Sequence, residues 1–312
     1  MGNNFTLAGF LRTRKQDPIA RMMWTVVLSL VPAGIAGVVI FGIAALRVIL
    51  VAAAAAVLAE FIFCAGFRKK ITILDGSAVV TGILLAFCLP PEVPLWLPAA
   101  GAAFAIIIGK QVFGGRGKNF FNPALAGRVF LTACWPKYMF VFTLPFNYDS
   151  VTSATPLALL KEGRVFGQIT YLDLFLGKHA GCIGEVCILA LLAGAAILLA
   201  KKYISWYIPV TYIFTTGFLA YVFGGGRLFG GDWLFSILSG GLILGAFFMA
   251  TDYVTAPLTV KGQLIFGFGC GLLTAVVRLW GRYPEGVAYS ILMMNAAVPF
   301  INRYTKNRIY GT

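Results

Sequence analysis

The sequence predicts an all-α polytopic membrane protein with about ten transmembrane helices, and three observations carry that expectation. Of 312 residues, 60% are hydrophobic and 12% charged, and the mean hydropathy is +0.88. Soluble domains carry about 25% charged residues, and no soluble core hides this much apolar surface. The apolar residues fall into ten runs, at 22–42, 48–66, 77–91, 95–112, 123–140, 184–200, 203–223, 233–251, 262–280 and 286–302. Finally, the basic residues, 25 Lys and Arg against 11 Asp and Glu, are concentrated in alternate loops between those runs.

Residues 1–21 carry Arg12, Arg14, Lys15 and Arg21 and read as a cytoplasmic basic flank rather than a cleaved signal peptide. The runs 22–42 and 48–66 approach the roughly 20 apolar residues a spanning helix needs. The runs 77–91 and 123–140 are shorter, and are expected to be tilted, broken or re-entrant. Between spans, Gly114-Gly115-Arg116-Gly117-Lys118-Asn119 lacks the spacing and the Ser/Thr of a phosphate-binding loop and reads as a turn.

With the N-terminus in the cytoplasm, the inner side collects Arg12, Arg14, Lys15, Arg21, Arg68, Lys69, Lys70, Lys110, Arg116, Lys118, Lys201, Lys202, Lys261, Arg303, Lys306 and Arg308, which is 16 of the 25. The excess of positive charge on inner loops then predicts both termini inside. The long loop 141–183 lies outside, and 303–312 is a cytoplasmic tail. Dispersed over short loops, these charges form no basic stripe with interleaved aromatics, so nucleic acid is not an expected partner and membrane lipid is.

A shift of 163 residues lays Gly82 on Gly245 and Pro94 on Pro257; three further residues bring Gly115-Arg116 onto Gly281-Arg282. The runs follow the same shift, which predicts two five-span repeats, 22–140 and 184–302. An odd span number inverts the second against the first, and inverted repeats place working sites at their interface. Matching Gly and Pro is easy in a chain with 36 Gly and 14 Pro, so coincidence is the competing explanation.

The candidate chemistry sits in a polar island, Asp149 to Leu157, whose core is Asp149-Ser150-Val151-Thr152-Ser153-Ala154-Thr155. Asp149 and Ser150 favour a turn. Pro156 holds Thr155 extended and out of a helix, and small Ser153 and Ala154 leave room around its hydroxyl. The plain alternative is a loop in which Thr155 or Ser153 caps a short helix through Leu157 to Leu160.

Ionisable or polar groups near membrane depth supply further candidates, because burying them is costly. Glu60 lies eight residues before Arg68, about 12 Å along a helix; it reads either as part of an ion path or as a carboxylate paired near the interface. Arg128, following Asn119 and Asn122-Pro123, reads as a ligand of phosphate or of a bound ring, or as a packing residue. Thr251 and Asp252 stand before a break at Pro257, where irregular backbone is tolerated only beside a cavity, or else they cap a helix. The six cysteines contain no C-x-x-C pair and there is one histidine, His179, which falls short of zinc or iron–sulfur ligand spacing.

Longer blocks carry a family resemblance. Gly117 to Phe130 (GKNFFNPALAGRVF), Met249 to Gly262 (MATDYVTAPLTVKG), Tyr283-Pro284-Glu285-Gly286-Val287 and Met294-Asn295-Ala296, in this order with the Ser-Ala-Thr-Pro-Leu loop between them, resemble the membrane subunits of Rnf and Na+-translocating NADH:quinone reductase complexes. The resemblance is nearer to the D-subunit family of Rnf than to the quinone-reductase B subunits, which are typically longer at the N-terminus. The pattern ending in Thr155 is similar to the site at which a flavin transferase esterifies a threonine to FMN.

What the resemblance implies is a fold similar to that of urea transporters, location in the bacterial cytoplasmic membrane, covalent FMN on Thr155 in the outer loop 141–183, and a noncovalent riboflavin within the membrane domain. Asp149, Thr152, Ser153 and Ala154 would form the attachment motif; Asn119, Asn122, Arg128, Thr251 and Asp252 would be flavin contacts. The attached phosphate would favour a cation such as Arg227, Arg278 or Arg282. Expected partners are Rnf subunits A, B, C, E and G, with electrons arriving from the outer-face flavoprotein G and leaving toward a cytoplasmic NAD-reducing subunit, coupled to Na+ or H+ movement. A secondary transporter or channel for a small polar solute is the competing class, and the Thr155 loop separates the two, since a solute transporter has no use for a flavin acceptor.

Overall fold

The computed structural model describes residues 18–69, 72–146, 152–162 and 169–305. The described residues form fourteen α-helices, one 3-10 turn, two π-helical turns and one two-stranded ribbon. Helices α1 (Pro18–Phe41) and α2 (Ile43–Gly66) are joined at Gly42, whose φ of 70° only glycine adopts freely. The 3-10 turn Ile73–Asp75 leads into α3 (Ser77–Phe87), and α4 (Trp96–Ile106) continues into the first π turn, Ile107–Gln111. Next come α5 (Pro123–Cys134), α6 (Pro136–Met139), and strands β1 (Phe142–Thr143) and β2 (Thr152–Ser153), which pair antiparallel. Short helices α7 (Pro156–Lys161) and α8 (Tyr171–Leu176) precede α9 (Ile188–Ala200) and α10 (Tyr207–Phe223). Then α11 (Trp233–Leu238), α12 (Leu242–Leu244) and the second π turn, Gly245–Met249, form a broken segment before α13 (Val260–Trp280) and α14 (Val287–Tyr304).

Close backbone approach through small residues holds the long helices together, as it does where no hydrophobic force drives helices to associate. A Cβ on Gly82 would lie 2.7 Å from the Ala52 carbonyl, so α3 seats against the alanine-rich face of α2. A Cβ on Gly271 would lie 2.9 Å from the Tyr212 carbonyl, where α13 crosses α10. Beside that crossing the buried Tyr212 hydroxyl bonds Thr274 (2.7 Å) and Ser290 (3.0 Å), which ties α10, α13 and α14. On the outside, Ile35, Val39, Leu50, Ile62, Phe214 and Phe300 are exposed, an apolar surface suited to lipid. The chain is a multi-pass membrane protein.

The expectation of an all-α fold with about ten spans in two inverted five-helix repeats, similar to urea transporters, is overturned by the helix inventory. Among the described residues only three helices are long and apolar enough to cross a membrane: Ile19–Phe41, Ile43–Gly66 and Val260–Trp280. The other apolar runs do contain helix, but α3 and α4 have 11 residues each, about 16 Å at 1.5 Å per residue, against a hydrocarbon core of about 30 Å. The physical reason is interruption. Pro90 and Pro91 end the α3 segment, the run 233–251 divides at Ser239-Gly240-Gly241, and α14 carries Asn295, Pro299 and Arg303. The ribbon β1–β2 also departs from an all-α reading.

The broken ends are satisfied inside the protein, as backbone away from water requires. The irregular stretch before α9, which turns at 183–185, donates Ile183 N–H to the Leu89 carbonyl (3.1 Å) and Gly184 N–H to the Phe87 carbonyl (3.0 Å), capping the C-terminal end of α3. That contact carries the stretch 178–187 into the interior, where His179, Cys182 and Glu185 are buried.

Candidate functional site: two clefts with charged floors

The sequence-predicted residues divide between two clefts. The first has ≈ 800 Å³ of atom-free space, partly open to solvent, and is lined by Asn119, Asn122, Thr251 and Asp252 together with Ser77, Lys110 and Arg116. Asn122 caps α5, its side-chain oxygen accepting from Ala124 N–H (3.0 Å) and Leu125 N–H (3.3 Å). Pro123 follows, at the position where a missing N–H costs least. The Asn122 amide donates to the Met249 carbonyl at the end of the second π turn (3.2 Å), and its backbone N–H donates to Asn295 (3.2 Å), whose own amide donates to the Thr255 carbonyl (3.3 Å). Three of the sequence blocks that carry the family resemblance therefore meet at one hydrogen-bonded hub.

Asn119 donates to the Phe121 carbonyl (3.0 Å), and the Thr251 hydroxyl to the Phe247 carbonyl (2.6 Å). Asp252 is half-buried; burial pushes its carboxyl up to about 6, opposed by bonds from Val254 N–H and the Thr255 hydroxyl.

Glu60 lies behind this cleft and is fully buried. Lys110, on the first π turn, donates to both its oxygens (3.1 and 2.9 Å), and Thr72 (2.6 Å) and Gln111 (3.1 Å) donate to Oε1. Lys110 also donates to the Ser77 hydroxyl (2.7 Å), which donates to Asp75, and Asp75 pairs with Arg116 (3.1 Å). The π turn places Lys110 in both the cluster and the cleft wall, in keeping with the frequency of π turns at functional positions.

The second cleft, with ≈ 700 Å³ of atom-free space, is lined by Arg128, Thr155, His179, Glu185, Glu285 and the aromatic rings of Phe140, Tyr283 and Tyr289. Thr155 caps α7 with φ −68° and ψ 156°, extended as Pro156 requires, and its Oγ1 accepts from Ala158 N–H (3.3 Å). The capping alternative is thus realised, yet a cap uses an oxygen lone pair and not the hydroxyl hydrogen, so it leaves the group free for esterification. Thr152 and Ser153 form β2 and Ala154 links them to Thr155; Asp149 lies outside the described residues. Lys161 anchors the other end of α7 on the carbonyls of Gly281 and Tyr283. The rings of Phe140 and Tyr283 are stacked at 5.9 Å and 12°, and those of Tyr283 and Tyr289 at 5.7 Å and 19°.

Arg128 pairs with Glu285 at 2.7 Å, and Gly241 N–H also donates to Glu285. Arg278 donates from its two terminal nitrogens to the carbonyls of Ser236 (2.6 Å) and Ser239 (3.2 Å) rather than offering them to a phosphate, and Arg282 is exposed. Sequence reasoning missed Glu185, Glu285 and His179 as site residues. Glu285 stands in a block recognised only as a resemblance, and the other two lie in an irregular stretch with no local signature.

The chain matches the model of the NQR2, RnfD, RnfE family over residues 10–311. It is 47% identical over 310 residues to the D subunit of the Na(+)-translocating ferredoxin:NAD(+) oxidoreductase complex of Acetobacterium woodii, covering 99% of this chain and 96% of the relative. To the D subunit of the proton-translocating ferredoxin:NAD(+) oxidoreductase complex of Clostridium ljungdahlii it is 46% identical, covering 99% and 97%. The D subunit of the ion-translocating oxidoreductase complex of Methanosarcina acetivorans is 37% identical, with coverage of 99% and 98%.

Proposed function

Since the chain belongs to the NQR2, RnfD, RnfE family, we propose that it is the membrane electron-transfer subunit of an Rnf-type ferredoxin:NAD+ oxidoreductase complex, with FMN esterified to Thr155 and coupling to Na+ or H+ movement. The observation that carries this reading is the setting of Thr155. Its hydroxyl opens into a cleft with a flat aromatic wall, while the buried Glu185 Oε2 and His179 Nε2 at the same cleft have no hydrogen-bond partner. A planar ring with a polar edge, tethered at Thr155, fits that donor set. Bound there, a flavin supplies one-electron carriage.

The chain's own residues do the rest. Phe140, Tyr283 and Tyr289 orient a ring by stacking, Lys161 fixes the tether helix against Tyr283, and the Arg128–Glu285 pair forms a rigid polar floor. A second, noncovalent flavin, riboflavin, belongs in the first cleft, with Asn119, Asn122, Thr251 and Asp252 as contacts. Arg116 lines that cleft and Lys69 donates to the Gln111 carbonyl on the π turn beside it, which supports its placement at the cytoplasmic face with both termini inside, and leaves Thr155 at the outer face. Electrons then enter from an outer-face flavoprotein of the complex and leave toward the NAD-reducing side. As a member of an ion path, Glu60 is reached from the cleft through Lys110. The remaining expected partners are the other Rnf subunits and the flavin transferase that modifies Thr155.

Peptide mass spectrometry of the denatured protein from its native host tests this. One FMN less one water on the Thr155 peptide is the expected increment, absent in Thr155→Ala. An unmodified peptide, in a host with an active flavin transferase, overturns the reading and brings the solute-transporter class forward.

A further inference from the structure

Among the described residues, three buried side-chain atoms have no hydrogen-bond partner: His179 Nε2, Glu185 Oε2 and Arg278 Nε. Leaving such a group unsatisfied costs about 1–3 kcal/mol, so each calls for an explanation. Glu185 has the sharpest geometry. Only 5% exposed, it accepts from Cys182 N–H at Oε1 (3.0 Å), while Oε2 is bare at the wall of the Thr155 cleft.

A second carboxylate lies beside it. A Cβ on Gly241 would fall 2.7 Å from Glu285 Oε1 and 2.8 Å from Glu185 Oε2, so both acids converge on one glycine. Gly240, with φ of 70°, turns the chain there. Glu285 holds the nearby cation, Arg128 at 2.7 Å; Arg278 is committed to two carbonyls. Glu185 has no cation at ion-pair distance among the described residues. Two carboxyls this close in a buried site cannot both ionise cheaply, and the pairing decides which one keeps its charge.

From these contacts, we propose that Glu185 is a proton-carrying carboxyl, gaining one proton when the redox group in the Thr155 cleft gains one electron and losing it when that electron leaves. The inference rests on the reading of Thr155 as a flavin attachment site. The electron comes from the partner redox protein and the proton from bulk solvent, delivered through the cleft as hydronium, whose O–H bond breaks to leave a neutral water. The one bond formed is O–H at Glu185 Oε2; on reoxidation it breaks, the proton returns to water, and the electron passes to the next carrier. The charge of a low-dielectric cleft thereby stays constant through each turnover.

The groups facing Glu185 agree with this. They are Glu285 from the 281–286 loop, Arg128 from α5, Arg278 from α13, Cys88 after α3, and Cys182 and His179 from its own stretch. Burial, then the charge of Glu285, push the Glu185 carboxyl up to about 7, with Arg128 opposing. Burial also works to raise Glu285, but Arg128 and Arg278 hold it below the usual carboxylate range.

The test uses the intact complex, as wild type, Glu185→Gln and Glu185→Asp, with the flavin on the Thr155 peptide quantified in each. The midpoint potential of that flavin is titrated from about pH 5.5 to 8.5. Coupling of one proton moves it by about 59 mV per tenfold change in proton activity. Wild type is expected to show this slope above the Glu185 transition of the oxidised state, near pH 7, where reduction draws in the proton, and to flatten below it; Glu185→Gln is expected to lose the slope, and Glu185→Asp to restore it with a displaced window. A slope unchanged in Glu185→Gln, or absent from wild type, overturns the inference while a flavin-bearing peptide leaves the Thr155 reading intact; an unmodified peptide overturns both. Should the variants fail to assemble, wild type still decides by redox-difference infrared spectroscopy. A protonated-carboxyl band must grow on reduction, and its absence overturns the proposal.

Discussion

The two buried charge clusters use similar residues to opposite ends. At Glu60, one carboxylate meets a lysine, a threonine and a glutamine, and the chain of donors runs on through Ser77 to Asp75 and Arg116. At Glu185, two carboxylates face a cluster in which one guanidinium serves Glu285 and the other serves backbone carbonyls, leaving an oxygen, an imidazole nitrogen and a guanidinium nitrogen unclaimed. A buried network stabilises and rigidifies only when each member is satisfied. The first cluster is built as a lock between α2 and the π turn after α4. In the second, two of the three residues with unmet hydrogen-bonding capacity, Glu185 and His179, line a cleft, which is where a bound group would find them.

Breaking the lock should have the largest effect. Lys110→Met strands Glu60 in a fully buried position, and removing one partner of a buried pair costs about 3–5 kcal/mol. The expected result is a large loss of thermal stability in detergent. The double variant Glu60→Gln with Lys110→Met should recover most of it, since no uncompensated charge is left. A double variant as unstable as the single one would show that the pair specifies local structure beyond its charge balance.

The same operation on the second cluster should be milder. Arg128 and Glu285 side chains are 17% and 15% exposed, so Arg128→Met is expected to cost about 2 kcal/mol, below the fully buried case. Because Arg128 opposes the upward push on Glu185, the variant should also shift the Glu185 transition to higher pH, measurable by infrared titration of the carboxyl band. A transition that stays in place would mean that burial alone sets it.

This contrast was only half legible in the sequence. Each apolar run does contain helix, and the Asn122-Pro123 and Thr155-Pro156 starts form the caps their chemistry favours. Helix length failed because π turns and Gly-Gly breaks are settled by tertiary packing: Lys110 reaches Glu60 across 50 residues only after the helix widens. Asn119, Asn122, Thr251 and Asp252 stand in the sequence as polar residues beside apolar runs, but nothing local says that they line one cleft. Glu185 meets Glu285 from 100 positions away, through a stretch whose path is set by capping α3, and no local pattern encodes that meeting.

At the mouth of the second cleft, Thr155 separates structure from chemistry. Thr155→Ala removes the cap to Ala158 N–H, worth about 1 kcal/mol, and it removes the acceptor hydroxyl. Thr155→Ser keeps both features. We expect Thr155→Ala to show a small loss of stability and no in-gel flavin fluorescence on the denatured protein, and Thr155→Ser to retain stability. If Thr155→Ala kept its fluorescent flavin, the attachment would lie elsewhere and the cap would be the residue's whole role.

The smallest effect sharpens the comparison on the first cleft's open wall, where Asp252 is half-buried. Burial raises its carboxyl from 3.8 to about 6. A group whose folded value is raised contributes stability that is present below its unfolded value and lost as pH rises through the folded one. Between about pH 4 and pH 7, wild type should therefore lose stability relative to Asp252→Asn, which keeps the shape and cannot ionise. With partial exposure weakening the penalty, the difference should amount to about 1 kcal/mol. Parallel thermal melts of the two proteins across that window measure it, and common contributions such as that of Glu185 cancel in the difference. A constant gap between the curves would mean that Asp252 ionises as freely in the folded protein as in the unfolded chain. Its wall of the cleft would then be wet, and a flavin contact there would have to form through water rather than directly.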